Sequence, residues 1–262
     1  MIYTSRGDNP FIFHQNKISK IITTFINSIS PNLLETNPIV SGSYMIKLIV
    51  QPEAEFHDYD LYFSNQKDYD QATKILTNVS LDKKESKNCV SFSIPGFDKQ
   101  IQLINSFSLP ADIIGKHDFA NSMVCWQNGN IFFHKDFFSS WKYLSLLIKN
   151  KQFKFENDSY VINNSWLAKY CILVARVDKY VKRYKLSLAP QTRATLIELK
   201  TLLEENQDTF STFDFSLIKS NNFSKFIYSV DSDRFSISST QDLIQKTLGL
   251  IGDTNETSVS EF

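Results

Sequence analysis

The sequence predicts an α+β fold, in which a mixed β-sheet domain with helices precedes a mainly helical domain. Several segments of the first 150 residues alternate apolar and polar side chains, which is typical of half-buried strands. Apolar residues at helical spacing flank those segments, and this helical spacing continues through most of the chain from Ser165 onwards. We therefore place a head domain at residues 11–148, a helical domain at 160–250 and a disordered tail at 251–262.

Composition sets broad limits on the class of protein. The 262 residues are enough for one large domain or two ordinary ones. The formal net charge of +0 neither favours nor excludes nucleic acid as a partner. Cys89, Cys125 and Cys171 lie far apart, so we expect buried thiols in a reducing compartment. Because we see neither a signal peptide nor an apolar run of membrane-spanning length, we expect a cytoplasmic protein without a membrane partner.

The elements of the head follow from spacing and from turn residues. Helical spacing predicts helices at residues 17–29, where Pro31 follows as a stop signal, and at 68–77 and 136–149. Strand patterns precede and follow a Pro95-Gly96 turn, at residues 89–94 and 99–104. Residues 83–87 are charged and predict a turn. In the second domain, helices are predicted at residues 165–184, 192–205 and 239–250, and Ser165 is the expected N-cap of the first. Residues 211–230 are ambiguous between strand and short helices. Residues 149–164 are the expected linker or small hairpin between the domains.

Two carboxylates stand out in the strand predicted at residues 56–63, where aromatic and acidic residues alternate. Residues two apart on a strand point to the same face, so Asp58 and Asp60 project together. Two like charges this close repel each other unless a cation lies between them. Carboxylate oxygens of this kind suit Mg²⁺, which binds through one or two carboxylates and substrate phosphates.

A small-residue turn, Ser41-Gly42-Ser43, precedes this strand, with a short amphipathic segment between them. The arrangement resembles the nucleotidyltransferase (polymerase-beta-like) superfamily, in which a Gly-Ser turn precedes a strand that carries Asp-x-Asp. The resemblance implies a nucleotidyltransferase-type mixed-sheet head in which Gly42 and Ser43 hold a triphosphate, and Asp58 and Asp60 bind the metal ions. The alternative is a surface strand with two solvated acids after an ordinary turn.

Residues 116–123 point to one branch of that superfamily. Their sequence, Lys-His-Asp-Phe-Ala-Asn-Ser-Met, resembles the Arg-Arg-Asp-Phe-Thr-x-Asn-Ala-Met motif of the class II tRNA nucleotidyltransferase and bacterial poly(A) polymerase family. The resemblance implies that Lys116 and Asp118 contact the ribose or phosphates of the nucleotide, with His117 in place of an arginine. Lys47 is the only cation near the Gly42 turn. The alternative for Asp118 is an ordinary helix N-cap or turn residue.

A third carboxylate, present in many members of the superfamily, is replaced here by Gln102. An amide is a poorer ligand for Mg²⁺ than a carboxylate. The branch just named uses only the two motif acids. Either the site works with two acids, or a third comes from elsewhere in the chain.

The predicted helix at 165–184 has a basic face formed by Arg176, Lys179 and Arg183. The sequence that begins at Arg183 resembles the family's Arg-Phe-Gly-Phe-x-Ile-x-Pro-Glu-Thr segment, which implies that this face meets a triphosphate or an RNA acceptor. The alternative is a solvated helix face. The family's base-reading Glu-Asp-x-x-Arg falls on residues 169–173, which cannot make the same hydrogen bonds. Tyr170 is expected to stack on any base instead. An enzyme of this kind would not use CTP and then ATP strictly; it would either accept several NTPs or read the base with other residues.

The leading hypothesis is an enzyme, a Mg²⁺-dependent nucleotidyltransferase. It would move a nucleoside monophosphate from an NTP to a hydroxyl acceptor, with RNA or the 3′ end of a tRNA among the candidates. The rival is a degenerate, inactive nucleotidyltransferase fold used as a binding or regulatory module. The changes at Gln102, His117 and residues 169–173 favour the rival, whereas the intact Asp58 and Asp60 oppose it.

Overall fold

The computed structural model describes residues 2–4, 11–86, 88–149, 162–219 and 237–252. It confirms the predicted α+β fold. The chain divides into two compact units, Met1–Tyr143 and Leu144–Phe262. The first contains a mixed β-sheet with helices, and the second is mainly helical.

The first unit is built on one mixed sheet. Within the described residues it has eight strands in the order β1-β8-β7-β2-β3-β6-β5-β4. Only β3 and β6 pair in parallel, and the other neighbours are antiparallel. The strands are β1 (Ile2–Thr4), β2 (Ile39–Ser41), β3 (Asp58–Phe63), β4 (Asp82–Glu85), β5 (Cys89–Ser93), β6 (Gln100–Phe107), β7 (Val124–Gln127) and β8 (Asn130–His134).

The helices of the first unit are α1 (Phe11–Ile29), α2 (Ser43–Ile49), α3 (Gln66–Val79), α4 (Pro110–Lys116) and α5 (Phe137–Lys142). Short 3₁₀ helices cover Pro31–Thr36 and Ala120–Ser122. The core lies between α1, α3 and one face of the sheet. On that face the alternate residues of the middle strands are buried, among them Tyr59, Leu61, Phe92, Ile101 and Leu103. On the other face, Asp58, Asp60, Ser91, Gln100 and Gln102 are half-buried and polar, which is the alternation expected of a sheet with one face packed on a core.

The second unit contains a two-stranded parallel pair, β9 (Ser145–Leu146) and β10 (Ser187–Leu188). Its helices are α6 (Asn164–Tyr184), α7 (Pro190–Glu205), α8 (Ser216–Lys219) and α9 (Thr240–Gly252), with a 3₁₀ turn at Gln207–Phe210. The apolar stripes of α6, α7 and α9 are buried, and α9 packs against both α6 and α7, as the helical spacing of the sequence predicts.

The charged turn predicted at residues 83–87 is wrong for residues 83–85, which belong to strand β4 (Asp82–Glu85) at the edge of the sheet. Ser86 and Asn88 lie in the connection between β4 and β5, and residue 87 lies outside the described residues. All four side chains are exposed, and an ion pair of 2.6 Å joins Lys83 to Glu85. Charged side chains have low strand propensity, but pairing with β5 outweighs it. A short, charged edge strand also resists unwanted pairing with other chains.

Several predicted helix boundaries also differ, and α1 begins at Phe11 rather than at residue 17. The helix predicted at 136–149 ends at Lys142, because Leu144 takes a left-handed conformation (φ 44°) and the chain continues into β9. Pairing with β10 then holds it, and Ser187 N donates to Leu144 O. The N-cap of α6 is Asn163 rather than Ser165, since the Asn163 side chain accepts a 3.0 Å bond from Trp166 N.

Several predictions fall partly or wholly outside the described residues. They are the linker residues 150–161, residues 220–230 of the ambiguous segment and residues 253–262 of the tail. The first two residues of the predicted tail, Ile251 and Gly252, belong to α9.

The three cysteines are free, with Cys125 and Cys171 buried and Cys89 half-buried. In the part of the chain that the structure describes, no helix is both long and apolar enough to cross a membrane.

Candidate nucleotide and metal site

The structure places Asp58 and Asp60 on the same face of β3. Both are half-buried, whereas Tyr59 and Leu61 between and beyond them are buried on the opposite face. The two carboxylates therefore share one side of a central strand, where a single cation can meet both.

An aromatic cluster supports the start of β3 from the buried face. The ring of Tyr59 stacks on Phe25 of α1, with centroids 4.3 Å apart, and it meets Tyr44 of α2 at 4.8 Å and Phe56 at 4.9 Å. Burial, with Tyr59 nearby, raises the pKa of Tyr44 to about 12. These ring contacts pack α1, α2 and β3 against one another, and they hold the strand that carries the two acids from its buried face.

The Gly42 turn lies directly against Asp60. The register of β2 and β3 places Ser41 opposite Asp60, and Gly42 follows with φ 78° and ψ −158°. A Cβ at Gly42 would overlap Oδ2 of Asp60 and lie 3.1 Å from its Cγ. Only glycine combines this backbone conformation with so close an approach. Ser43 then begins α2, so the structure brings together Gly42, Ser43 and Asp60.

A buried serine links this turn to the segment that carries His117. Ser41 Oγ donates a 2.8 Å bond to Val124 O and lies 3.1 Å from Nε2 of His117. The single hydroxyl proton of Ser41 is used on Val124, so Nε2 of His117 must be the donor to Ser41. Sequence reasoning missed Ser41, although its place immediately before Gly42 was a usable signal.

Asp118 follows His117 and is only 9% exposed. It is not the N-cap of the 3₁₀ helix Ala120–Ser122, since that position belongs to Phe119. The segment is held in the head by Trp141, whose Nε1 donates a 3.0 Å bond to Asn121 O. The helix N-cap alternative for Asp118 therefore does not apply.

The ammonium groups of Lys116 and Lys47 both form hydrogen bonds within the head. Lys116 donates to Ser106 Oγ at 3.0 Å and to Ser108 Oγ at 2.5 Å. Ser106 lies four residues along β6 from Gln102, the partner of Asp60, which is about 13 Å at the usual strand rise. Lys47 donates a 3.2 Å bond to Ala54 O in the loop before β3.

Gln102 stands next to Asp60 in the parallel pairing of β3 and β6. Among the described residues, no group of three or more His, Cys, Asp or Glu side chains is arranged to hold a metal ion. The part of the chain described here thus offers Asp58 and Asp60 as a two-acid set, and it contains no cluster with a third acid.

The predicted basic residues of the second unit lie on α6, and Arg176, Lys179 and Arg183 are all half-buried. The guanidinium of Arg183 lies 5.9 Å from the ring centroid of Tyr184. Its Nη2 is buried and has no hydrogen-bond partner within the described ranges. A buried donor in this state is a place where an anion would restore the missing bond. Partial burial also distinguishes these residues from a fully solvated helix face.

The expectation that Tyr170 stacks on a base is wrong. Tyr170 is fully buried in the second unit, and its hydroxyl lies 2.8 Å from Thr247 Oγ1. Because Thr247 donates to Leu243 O, the tyrosine hydroxyl is the donor to Thr247. Burial raises the pKa of Tyr170 well above its usual value. A tyrosine on an amphipathic helix is core-facing here because the apolar stripe of α6 packs against α9.

The fold is similar to that of CCA-adding enzymes. A CCA-adding enzyme in complex with ATP superposes with a TM-score of 0.54 at 11% identity, over 92% of this chain and 53% of the enzyme. The complex with CTP has a TM-score of 0.50 at 11% identity, over 82% and 49%, and an apo form has 0.50 at 11%, over 93% and 52%. The chain thus spans about half the length of these enzymes. At this identity the likeness shows a nucleotidyltransferase-type fold and no more.

None of the curated proteins matches the chain. One protein family does match, over residues 13–143, and its description is "Gabija anti-defense 2 family protein". This match covers half of the chain. It includes the Gly42 turn, both acids of β3 and the segment from Lys116 to Asp118. The chain therefore belongs to the Gabija anti-defense 2 family.

Proposed function

We propose that the protein is a Mg²⁺-dependent nucleotidyltransferase that moves a nucleoside monophosphate from an NTP to a hydroxyl acceptor. The close approach of Gly42 to the Asp60 carboxylate is the observation that carries this proposal. A fold alone needs neither a glycine in a strained conformation nor two acids on one strand face. Together they favour a turn that receives phosphates beside a pair of metal-binding acids.

The donor set fits Mg²⁺. Asp58 and Asp60 offer hard oxygen ligands on one face of β3, and Mg²⁺ commonly binds through one or two carboxylates, with water and substrate phosphates completing its shell. When bound, the ion would neutralise charge on the phosphate oxygens and orient them. Asp58 and Asp60 would hold it.

The remaining residues of the head would position the NTP and the two metal-binding carboxylates. The absence of a side chain at Gly42 lets phosphates approach the backbone of the turn, with Ser43 beside them. His117 and Ser41 would keep β2 in register with Asp60 through their 3.1 Å bond. Asp118 is the candidate for the ribose, and the cations of α6 are the candidates for phosphate in the second unit. Lys116 and Lys47 would have to leave their present contacts to take part.

The family description supplies the biological setting. It refers to action against Gabija defence, and we infer that nucleotidyl transfer by this protein serves to suppress that defence. The modified component would lose its function through the attached nucleotide, a bulky group with negative charge.

Transfer of label tests the proposal. The protein is incubated with each α-³²P-labelled NTP, Mg²⁺ and the Gabija components, and the labelled products are separated. Asp58→Asn or Asp60→Asn should abolish transfer, because each removes a ligand charge, while the protein stays folded since like-charge repulsion is relieved. Asp112→Asn, at an exposed position of α4, is the matched control and should transfer normally. Normal transfer by the double Asn variant would show that Asp58 and Asp60 are not the metal-binding acids of the reaction.

A second candidate function is a catalytically inactive module that suppresses Gabija defence by binding. The hydrogen bonds that hold Lys116 at Ser106 and Ser108 favour it. In this case Asp58→Asn and Asp60→Asn would leave protection against Gabija unchanged, and NTP binding would not depend on Mg²⁺. Isothermal titration with a non-hydrolysable NTP, with and without Mg²⁺, distinguishes the two functions.

A further inference from the structure

We infer that the acceptor is a polypeptide, modified on a serine, threonine or tyrosine hydroxyl, rather than an RNA. This inference rests on the proposed function. It concerns the sheet face that carries Asp58 and Asp60, and its evidence is the chemistry of the residues that continue this face beyond the acids.

The strand registers place a row of polar residues across the sheet, at the level of Asp60. Residues directly opposite each other on neighbouring strands share a face. Asp60 is opposite Ser41 on one side and Gln102 on the other, and Gln102 is opposite Ser91 of β5. In the next row, Asp58 is opposite Gln100. We call the surface formed by Gln100, Gln102 and Ser91 the amide patch.

The three side chains of the amide patch are uncharged and able to form hydrogen bonds, and Lys84 of β4 lies opposite Ser91 at the outer end of the row. All three residues are half-buried. Within the described residues, the side chains of Gln100 and Gln102 form no hydrogen bond. A glutamine amide offers two donors and a carbonyl acceptor, and a serine hydroxyl offers both. A peptide backbone presents the complementary N–H and C=O groups, whereas a phosphate chain presents acceptors alone.

The sequence of the head has no arginine and no excess of positive charge. Residues 11–143 contain 12 lysines, 13 acidic residues and no arginine. Arginine supplies the two-pronged contact to phosphate, so this contact is missing from the whole segment. Three lysines near β4 and β6 pair with acids, namely Lys83 with Glu85 at 2.6 Å, Lys84 with Asp82 at 3.8 Å and Lys99 with Asp98 at 3.5 Å. Since RNA affinity comes largely from neutralised phosphates, this face is a weak binder of RNA.

The reaction that follows is ordinary nucleotidyl transfer. The hydroxyl oxygen of the acceptor side chain attacks the α-phosphorus of the NTP, and the bond between that phosphorus and the β-bridging oxygen breaks. Pyrophosphate leaves with the electron pair of the broken bond, and the hydroxyl proton passes to solvent. The product is a phosphodiester between the protein side chain and the nucleoside.

The experiment compares two acceptors in one assay. The full chain is incubated with α-³²P-labelled NTPs and Mg²⁺, together with purified Gabija proteins and total tRNA in equal mass, and the products are treated with protease or ribonuclease. We expect the labelled product to be sensitive to protease and resistant to ribonuclease. Ser91→Lys, two strands and about 10 Å from Asp60, should lower protein labelling about tenfold by placing a charge in the amide patch. Ser28→Lys, at an exposed position of α1, is the matched control and should label normally.

Two results would overturn the inference. Label that ribonuclease removes would identify RNA as the acceptor. The proposed nucleotidyltransferase activity would then still hold, but the inferred acceptor would be wrong. The absence of label from both acceptors overturns the inference as well. In that case, Mg²⁺-dependent binding of an NTP in the same samples would show that the nucleotide site survives, whereas the absence of such binding would overturn the proposed function too.

Discussion

Replacement of Gly42 by alanine should both destabilise the head and disable the site. The backbone at Gly42, with φ 78° and ψ −158°, is a conformation that L-residues adopt at a cost of about 1–3 kcal/mol. The added Cβ would also overlap Asp60 Oδ2, and Cγ at 3.1 Å leaves little room for the carboxylate to rotate. Relief of this overlap adds about 1–3 kcal/mol. We expect a total loss of about 2–6 kcal/mol in the free energy of unfolding.

The overlap also predicts a loss of activity. A shift of about 1 Å in the Asp60 carboxylate would misplace a metal ligand, and misplacement of that size lowers rates about a hundredfold. Urea unfolding measures the loss of stability. NMP transfer at saturating NTP, under conditions in which the variant is still folded, measures the loss of activity.

Gly129→Ala is a matched control. Gly129 has φ 84° in the Asn128-Gly129 turn between β7 and β8, and a Cβ there would meet Ser19 Oγ at an ordinary 3.7 Å. It should lose about 1 kcal/mol of stability and keep its activity. The Gly42→Ala change should also cost less in an Asp60→Ala background, since the overlapping atoms are then absent. Equal effects of Gly42→Ala and Gly129→Ala on both measurements would refute this reasoning.

Three further predictions concern buried groups. Tyr170→Phe removes the hydroxyl that donates to Thr247, so it should cost about 1 kcal/mol in urea unfolding. It should leave the ratios of kcat/KM among the four NTPs unchanged, and altered ratios would mean that Tyr170 meets the base after all. Ser41→Ala leaves the groups that Ser41 bonds, His117 Nε2 among them, without this partner, so stability should fall by about 1–3 kcal/mol and NMP transfer should also fall. A variant as stable and active as the wild type would show that the Ser41–His117 link is dispensable. Burial raises the pKa of Tyr44 to about 12, from 10.0 in the unfolded chain, so its contribution to stability is complete below pH 10 and is lost as the pH rises to about 12. The urea midpoint of the wild type should therefore fall between pH 10 and 12, and that of Tyr44→Phe should fall less; identical slopes would contradict this assignment.

The sequence by itself determined the features that depend on local geometry. Alternation along a strand has a period of two, so Asp58 and Asp60 had to share a face once the strand was recognised. The spacing of apolar residues predicted the long helices of the second unit for the same reason. The α+β class follows from these patterns alone, because each pattern reports which face of an element is apolar.

Only the tertiary structure decided which of these faces meet. The overlap that makes Gly42 necessary depends on the register of β2 with β3, and the position of Lys116 depends on its contacts with β6. Burial of Tyr170 depends on α9, which lies more than 60 residues away along the chain. Pairing over such distances is set by the packing of the whole unit, and an amphipathic tyrosine or a lysine after a turn has the same local pattern whether it faces a ligand or the core.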